Sequence, residues 1–127
     1  MNGNLVDTNV IIKLLNGDEN AVRLFNGATD VAVPVIVAGE LFYGAYKSSR
    51  SQENLGLFMD FLSDYTMLPV DSDIAKTYGE IKAQLVKKGS PIPENDIWIA
   101  ATAKTHNLTL LTFDAHFSNI DGLRIHS

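Results

Sequence analysis

Short apolar stretches, each the length of a buried strand, alternate along this chain with longer segments of helical spacing. Asn4-Leu5-Val6 opens the series and ends at Asp7. Thr8 or Asn9 is placed to cap a short helix over Val10 to Leu15, closed by Asn16-Gly17. Asp18-Glu19-Asn20 starts a helix carrying Ala21, Val22, Leu24 and Phe25 and ending near Asn26-Gly27. Val31-Ala32-Val33 is the second strand. Pro34 opens the next helix, where its missing N–H costs nothing, and that helix runs to about Tyr46. Ser51 to Ser63 is a helix with Leu55, Phe58, Met59 and Leu62 on one face. Thr66 to Val70 reads as a strand. Asp71 or Ser72 caps a long helix with Ile74, Tyr78, Ile81 and Leu85 at helical spacing, and Lys87, Lys88 and Gly89 suit its end. Ser90-Pro91-Ile92-Pro93 is a rigid connector. Asn95 to Thr105 is an apolar helix, followed by a strand at Leu108 to Thr112, a turn over Ala115 to Phe117 and a last strand at Leu123-Arg124-Ile125. Such alternation predicts an α/β fold: a mainly parallel central sheet covered on both faces, in three α/β/α layers.

The size fits one domain spanning 1–127, since 127 residues are too few for two full ones. Hydrophobic residues make up 46%, enough to bury a core, so a disordered chain is excluded. Cysteine is absent, which excludes a disulfide scaffold and any thiolate-held metal. No apolar run reaches the roughly 20 residues of a membrane span. Met1-Asn2-Gly3-Asn4 lacks the basic and apolar regions of an export signal, so a cytoplasmic protein is expected. Ten Lys and Arg against fifteen Asp and Glu give a formal net charge of −5, a sign that argues against binding polyanions through a global field. Acids gathered around a divalent cation would be the exception.

In a parallel sheet, ligands bind beyond the carboxyl ends of the strands. Asp7 closes the first strand, and Asp114 lies two residues past Thr112 at the end of the fourth. Asp96 sits in the first turn of the helix after the proline connector, and Glu40 near the middle of the helix after the second strand. Each acid has a plain structural reading, Asp7 as a helix cap and Asp96 as an answer to the helix dipole. Glu40, however, stands among Val35, Ile36, Val37, Ala38, Leu41 and Phe42, and Asp96 precedes Ile97-Trp98-Ile99-Ala100-Ala101. Carboxylates in such apolar helices are costly without a partner. Four together repel one another unless a cation holds them, and the matching ion is hard and oxygen-seeking, Mg²⁺ or Mn²⁺. Such ions act on phosphoryl oxygens, activating and aligning water and offsetting charge on the departing oxygen. The remaining acids read as solvated surface or, for Asp71 and Asp73, as caps.

These residues resemble the motifs of PIN-domain nucleases, and more narrowly of VapC-type toxins from toxin–antitoxin pairs. Leu5-Val6-Asp7-Thr8-Asn9 is similar to the first acidic motif, Glu40-Leu41 with Gly44 to the second, Asn95-Asp96 with Ile99-Ala100-Ala101 to the third, and Thr112-Phe113-Asp114 with Phe117 to the fourth. The resemblance runs from Leu5 to the last strand, in the family's order and spacing; Asn9 stands where many relatives have Ser. It implies a PIN-like α/β/α sandwich and a Mg²⁺- or Mn²⁺-dependent endoribonuclease. Asp7, Glu40, Asp96 and Asp114 would be its catalytic metal ligands. Thr8 and Thr112 would bond those carboxylates or metal-held water. Asn95 is read either in that same supporting role or as the helix N-cap. An RNA substrate, a VapB-type antitoxin and a homodimer are the implied partners, with no membrane.

Without the four site acids, ten basic residues face eleven acidic ones, which removes the objection from charge. Lys47, Arg50 and Lys13 are candidate contacts for RNA phosphates. Tyr43 and Tyr46 are read as core residues that alternatively stack on a base, and Trp98 as core. His106, His116 and His126 show no catalytic pairing in sequence and are read as surface or loop residues. Three other readings compete: a receiver-type phosphoacceptor module, a non-catalytic PIN-like regulator and a housekeeping RNA-processing nuclease. The retained quartet argues against the regulator, and the short chain without an added RNA-binding segment favours the toxin.

Overall fold

A computed structural model describes residues 3–127; Met1 and Asn2, part of the stretch read above for an export signal, lie outside the described residues. The strands are β1 (Asn4–Val6), β2 (Val31–Pro34), β3 (Thr66–Leu68), β4 (Thr109–Leu111) and β5 (Ile125–His126). The helices are α1 (Thr8–Leu15), α2 (Glu19–Asn26), α3 (Val35–Lys47), α4 (Ser51–Leu62), α5 (Ser72–Lys88) and α6 (Glu94–Thr105), with a 3-10 turn at Ala115–Asn119. All strand pairs are parallel, in the order β3-β2-β1-β4-β5. The chain first builds outward from β1 to β3, then crosses back to lay β4 on the other side of β1. The reversal opens a crevice beyond the carboxyl ends of β1 and β4. This order differs from the 2-1-3-4-5 order of receiver-type folds and removes that alternative.

The central strands are apolar because helices cover both their faces. Leu5, Val6, Leu110 and Leu111 are all fully buried. The helices pack in sequential pairs, α1 with α2, α3 with α4 and α5 with α6. Helix α6 is the most deeply buried: Ile97, Ile99, Ala100, Ala101, Thr102 and Ala103 are all inside, and its alanines let α5 pack closely against it. Helix α3 touches both α1 and α6, which brings Glu40 to the corner where these helices meet. Among the described residues, every buried side-chain nitrogen or oxygen has a hydrogen-bond partner, and no helix is long and apolar enough to cross a membrane.

The structure moves several expected boundaries. Of the candidate caps of α1, Asp7 takes the position and not Thr8 or Asn9; its carboxylate accepts from Thr8 N and leaves both neighbouring side chains free for other bonds. Pro34 ends β2 and caps α3 instead of lying inside it, and Pro93 caps α6 in place of Asn95. Asp71 caps α5, while Asp73 sits in its first turn. Strand β3 stops at Leu68 because Pro69 has no N–H to continue the ladder. Strand β4 is one residue shorter at each end than the apolar run. Strand β5 begins at Ile125, after Gly122 makes a turn at φ 75°. Tyr43 and Tyr46 are not core residues: they are 66% and 65% exposed, because α3 presents that side to solvent. Met59 also faces outward, although Leu62 on the same helix is buried. Trp98 is half-buried and stacks on Tyr78 with ring centroids 4.0 Å apart.

Phe117 is fully buried and fixes the 3-10 turn after β4 to the core. Truncating it to Ala should cost about 3–5 kcal/mol through reduced burial and the cavity left behind. Urea unfolding should show this as a lower midpoint with an unchanged slope.

Candidate metal centre

The crevice at the strand-order reversal is an open cleft of about 610 Å³ lined by Asp7, Thr8, Asn9, Glu40, Asn95, Asp96, Asp114 and His116, among others. Four elements supply its acids. Asp7 joins β1 to α1, Glu40 comes from α3, Asp96 from the first turn of α6, and Asp114 from the residue before the 3-10 turn. The sequence-predicted quartet therefore converges on one place.

Asp7 is the most deeply held. It is 3% exposed, and Thr112 Oγ1 donates to its Oδ2 at 2.7 Å while Thr8 N donates to its Oδ1 at 2.8 Å. The Thr112 hydroxyl also accepts from Asp114 N at 3.0 Å, so one side chain ties the end of β1 to the loop after β4. Thr8 Oγ1 donates to Glu40 Oε1 at 2.7 Å, and Asn95 Nδ2 reaches Glu40 Oε2 over a longer 3.5 Å. Thr8, Thr112 and Asn95 thus each meet a carboxylate of the cleft, and the alternative of Asn95 as a cap falls away, since Pro93 is the N-cap of α6. Asn9 adds a link that the sequence did not suggest. Its amide accepts from Phe113 N at 3.3 Å and reaches Asp114 Oδ2 at 3.5 Å.

His116 is the residue whose place the sequence pattern misjudged. It is no detached loop histidine: its Nε2 lies 2.6 Å from Asp96 Oδ2 and its Nδ1 3.6 Å from Asp114 Oδ1. The signal available in sequence was its place two residues after Asp114. The pairing to Asp96, 20 positions away, required the fold. His106 caps the far end of α6, and His126 lines a separate hollow with Arg23 and Phe113, so these two are outside the cleft as expected.

Burial raises the Asp7 carboxyl from 3.8 to about 6; the bonds from Thr112 and Thr8 oppose this, and the charges of Asp96 and Glu40 add to it. Asp96 is also raised, first by burial, against the hydrogen bond and charge of His116 and with the repulsion of Glu40 and Asp114. The donors are mainly carboxylate oxygens, and for Asp7 and Asp96 the charged form is disfavoured in the bare protein. A hard divalent cation relieves that penalty, so the residues present fit Mg²⁺ or Mn²⁺.

The candidate RNA contacts separate. Lys47 lines a groove that continues from Glu40 and Asn95 past Ile36, Gly39 and Gly44, with its Nζ 5.0 Å from the Tyr43 ring centre. Lys13 is exposed over the Phe113 ring at 5.8 Å. Arg50 faces Glu53 at 3.6 Å on the surface and lies outside both the cleft and that groove.

The raised Asp7 carboxyl sets the sign of a pH effect. The folded chain binds this proton more tightly than the unfolded chain. Stability from this group is therefore fully present below about pH 3.8 and is lost as pH rises through about 6. Asp7→Asn should match the wild type near the acid end. In chelator at pH 7.5 it should be more stable by roughly 2–3 kcal/mol. Parallel urea titrations from pH 4.5 to 7.5 check this.

Comparison with known proteins agrees with this architecture. The PIN domain pattern matches residues 5–123. Ribonuclease VapC2 of Haemophilus influenzae is 38% identical over 110 residues, which cover 85% of this chain and 83% of that protein. The tRNA(fMet)-specific endonuclease VapC of Salmonella typhimurium is 34% identical over 124 residues, 95% of this chain and 94% of its own. A chain in the crystal structure of DNA-bound VapBC from Salmonella typhimurium superposes with a TM-score of 0.90 at 33% identity, over 99% of this chain and 98% of that one. Matched in pattern, in sequence and in fold over almost its whole length, the chain belongs to the PIN-domain family, among its VapC members.

Proposed function

We propose that this protein is a Mg²⁺- or Mn²⁺-dependent endoribonuclease that hydrolyses RNA phosphodiester bonds and serves as the toxin of a toxin–antitoxin pair. The observation that carries the reading is the convergence of Asp7, Glu40, Asp96 and Asp114 at the strand-order reversal, each from a different element. The relatives are a ribonuclease and a tRNA-specific endonuclease, which sets the substrate class. A divalent ion held there would activate a water for attack on phosphorus and offset charge on the phosphoryl and leaving oxygens.

The protein's own residues position the reacting groups. Thr112 and Thr8 N fix both oxygens of Asp7 so that this carboxylate cannot swing away. Thr8 holds Glu40 through its hydroxyl, so one residue orients acids from two elements. Asn9 steadies Asp114 and the backbone that carries it. The cleft is open on its solvent side and can admit a polymer backbone rather than only a small ester. Lys47, beside Glu40, is the best-placed cation to meet a flanking phosphate, with Lys13 and Arg50 further out. Exposed Tyr43 adjoins Lys47 and offers a ring to an unstacked base.

The partner in this reading is a VapB-type antitoxin, as in the VapBC complexes from Salmonella typhimurium and Rickettsia felis. Tyr43 and Tyr46 on α3 and Leu57 and Met59 on α4 are exposed on two helices that pack together. Apolar side chains left outside in this way suit a homodimer interface and the docking of an antitoxin segment. The cytoplasm, where RNA and such a partner meet, is the proposed location.

Two measurements test the reading. Cleavage of RNA should stop in chelator and return with Mg²⁺ or Mn²⁺, and Asp96→Asn should lower the rate by at least about 100-fold while the protein stays folded. Activity that persists in chelator after removal of contaminating nucleases overturns the mechanism. Replacing Lys47 and Arg50 together with Ala should weaken RNA binding and flatten its salt slope by about 0.7 for each phosphate that is no longer neutralised. The single-turnover rate at saturating RNA should change little, because such charge pairing is equal in ground and transition states. Given the placement of the two residues, Lys47→Ala alone should account for most of the change.

A further inference from the structure

We propose that the His116 imidazole is a direct ligand of the cation in this cleft, forming with Asp96 and Asp114 a mixed nitrogen and oxygen set that favours a first-row transition ion such as Mn²⁺ over Mg²⁺. The inference rests on the metal-dependent reading above and extends it to a residue outside the acidic quartet.

Three observations carry it. First, the ring lies between two of the site's carboxylates, with Nε2 at 2.6 Å from Asp96 and Nδ1 at 3.6 Å from Asp114. Second, one donor atom from each of Asp96, Asp114 and His116 lies within 4.8 Å of the other two. Ligands about 2.1 Å from one ion stand about 3 to 4.2 Å apart, so side-chain shifts of a few tenths of an ångström close the set. Third, the ring is held in place. His116 is the second residue of the 3-10 turn, the next residue is the fully buried Phe117, and the two rings are 5.0 Å apart. His116 is only 30% exposed and Asp96 13%, so neither side chain is a freely moving surface group.

The chemistry of the nitrogen gives the consequence. Mg²⁺ prefers oxygen and keeps its water, whereas an imidazole suits transition ions, whose affinities rise along the series from Mn²⁺. A site of oxygens alone discriminates weakly between Mg²⁺ and Mn²⁺, and one nitrogen tips it. His116 then serves two states. Without metal it bonds Asp96 and tempers the repulsion among the acids; with metal the same nitrogen turns from the carboxylate to the ion.

The test uses the full chain, stripped of metal and loaded with Mn²⁺ alone. Electron spin-echo modulation should show a directly bound ¹⁴N in the wild type, and labelling only histidine with ¹⁵N should replace it by the ¹⁵N pattern. His106 and His126 lie outside the cleft, so that signal reports His116. In His116→Ala and His116→Gln the nitrogen signal should vanish while Mn²⁺ still binds. By calorimetry, Mn²⁺ affinity should fall about tenfold or more and Mg²⁺ affinity less than about threefold. If a variant does not fold, the labelled wild type alone decides ligation. Mn²⁺ bound without nitrogen coupling, or coupling that persists in both variants, overturns the assignment and leaves the metal-nuclease reading standing. A folded wild type that binds neither Mn²⁺ nor Mg²⁺ overturns that reading, and the role of His116 with it.

Discussion

Burying the Asp7 carboxylate at the junction of β1 and α1 costs free energy that only fixed hydrogen bonds and nearby positive charge can offset. The hydrogen bonds come from Thr112 and from the first N–H of α1, and they are not enough: burial still pushes the carboxyl up to about 6. Much of the site's architecture follows from that deficit. Thr112 must stand at the end of β4 to reach Asp7, so β1 and β4 must be neighbours, as the strand order makes them. Glu40 and Asp96 then approach from α3 and α6 and deepen the deficit through their own charge. A fold that assembles acids in this way gives up stability that a bound cation would restore.

The same residues serve helix formation and the site at once. Asp7 caps α1 with one oxygen and meets Thr112 with the other. Thr8 begins the helix and uses its hydroxyl to orient Glu40. Asn9, one residue further, secures the loop that carries Asp114. Three consecutive residues at one strand end thus reach partners on α3 and beyond β4. The juxtaposition of Asp7 with Thr112 and of Asn9 with Asp114 spans 105 positions in each case, and adjacent parallel strands make these distances short.

Helix α3 has a different kind of double duty. Its inner side carries Val37, Ala38, Leu41 and Ala45 into the core, while Tyr43 and Tyr46 stand in solvent. A helix that is apolar on nearly all sides in sequence is expected to be buried on all sides. Here Tyr43 borders the groove that continues the cleft, and Tyr46 stands exposed one turn further along the helix.

The sequence by itself determined the alternation of strands and helices, because apolar runs of three to five residues and helical spacing are local patterns. It also singled out the four acids as candidates, because an acid that closes a strand or interrupts an apolar helix is conspicuous wherever it stands, and the structure brings all four to one cleft. Helix ends were less legible: the cap reading of Asp7 held over those of Thr8 and Asn9, while Pro34 capped the helix it was expected to open and Pro93 took the cap position before the helix start expected at Asn95. Only the tertiary structure decided the pairing of His116 with Asp96, the bridge from Asn9 to Asp114 and the outward turn of Tyr43 and Tyr46. Each depends on which elements become neighbours in space. Beyond its place two residues after Asp114, nothing in the residues around His116 distinguishes a loop histidine from one whose ring stands beside Phe117 and against Asp96 of α6.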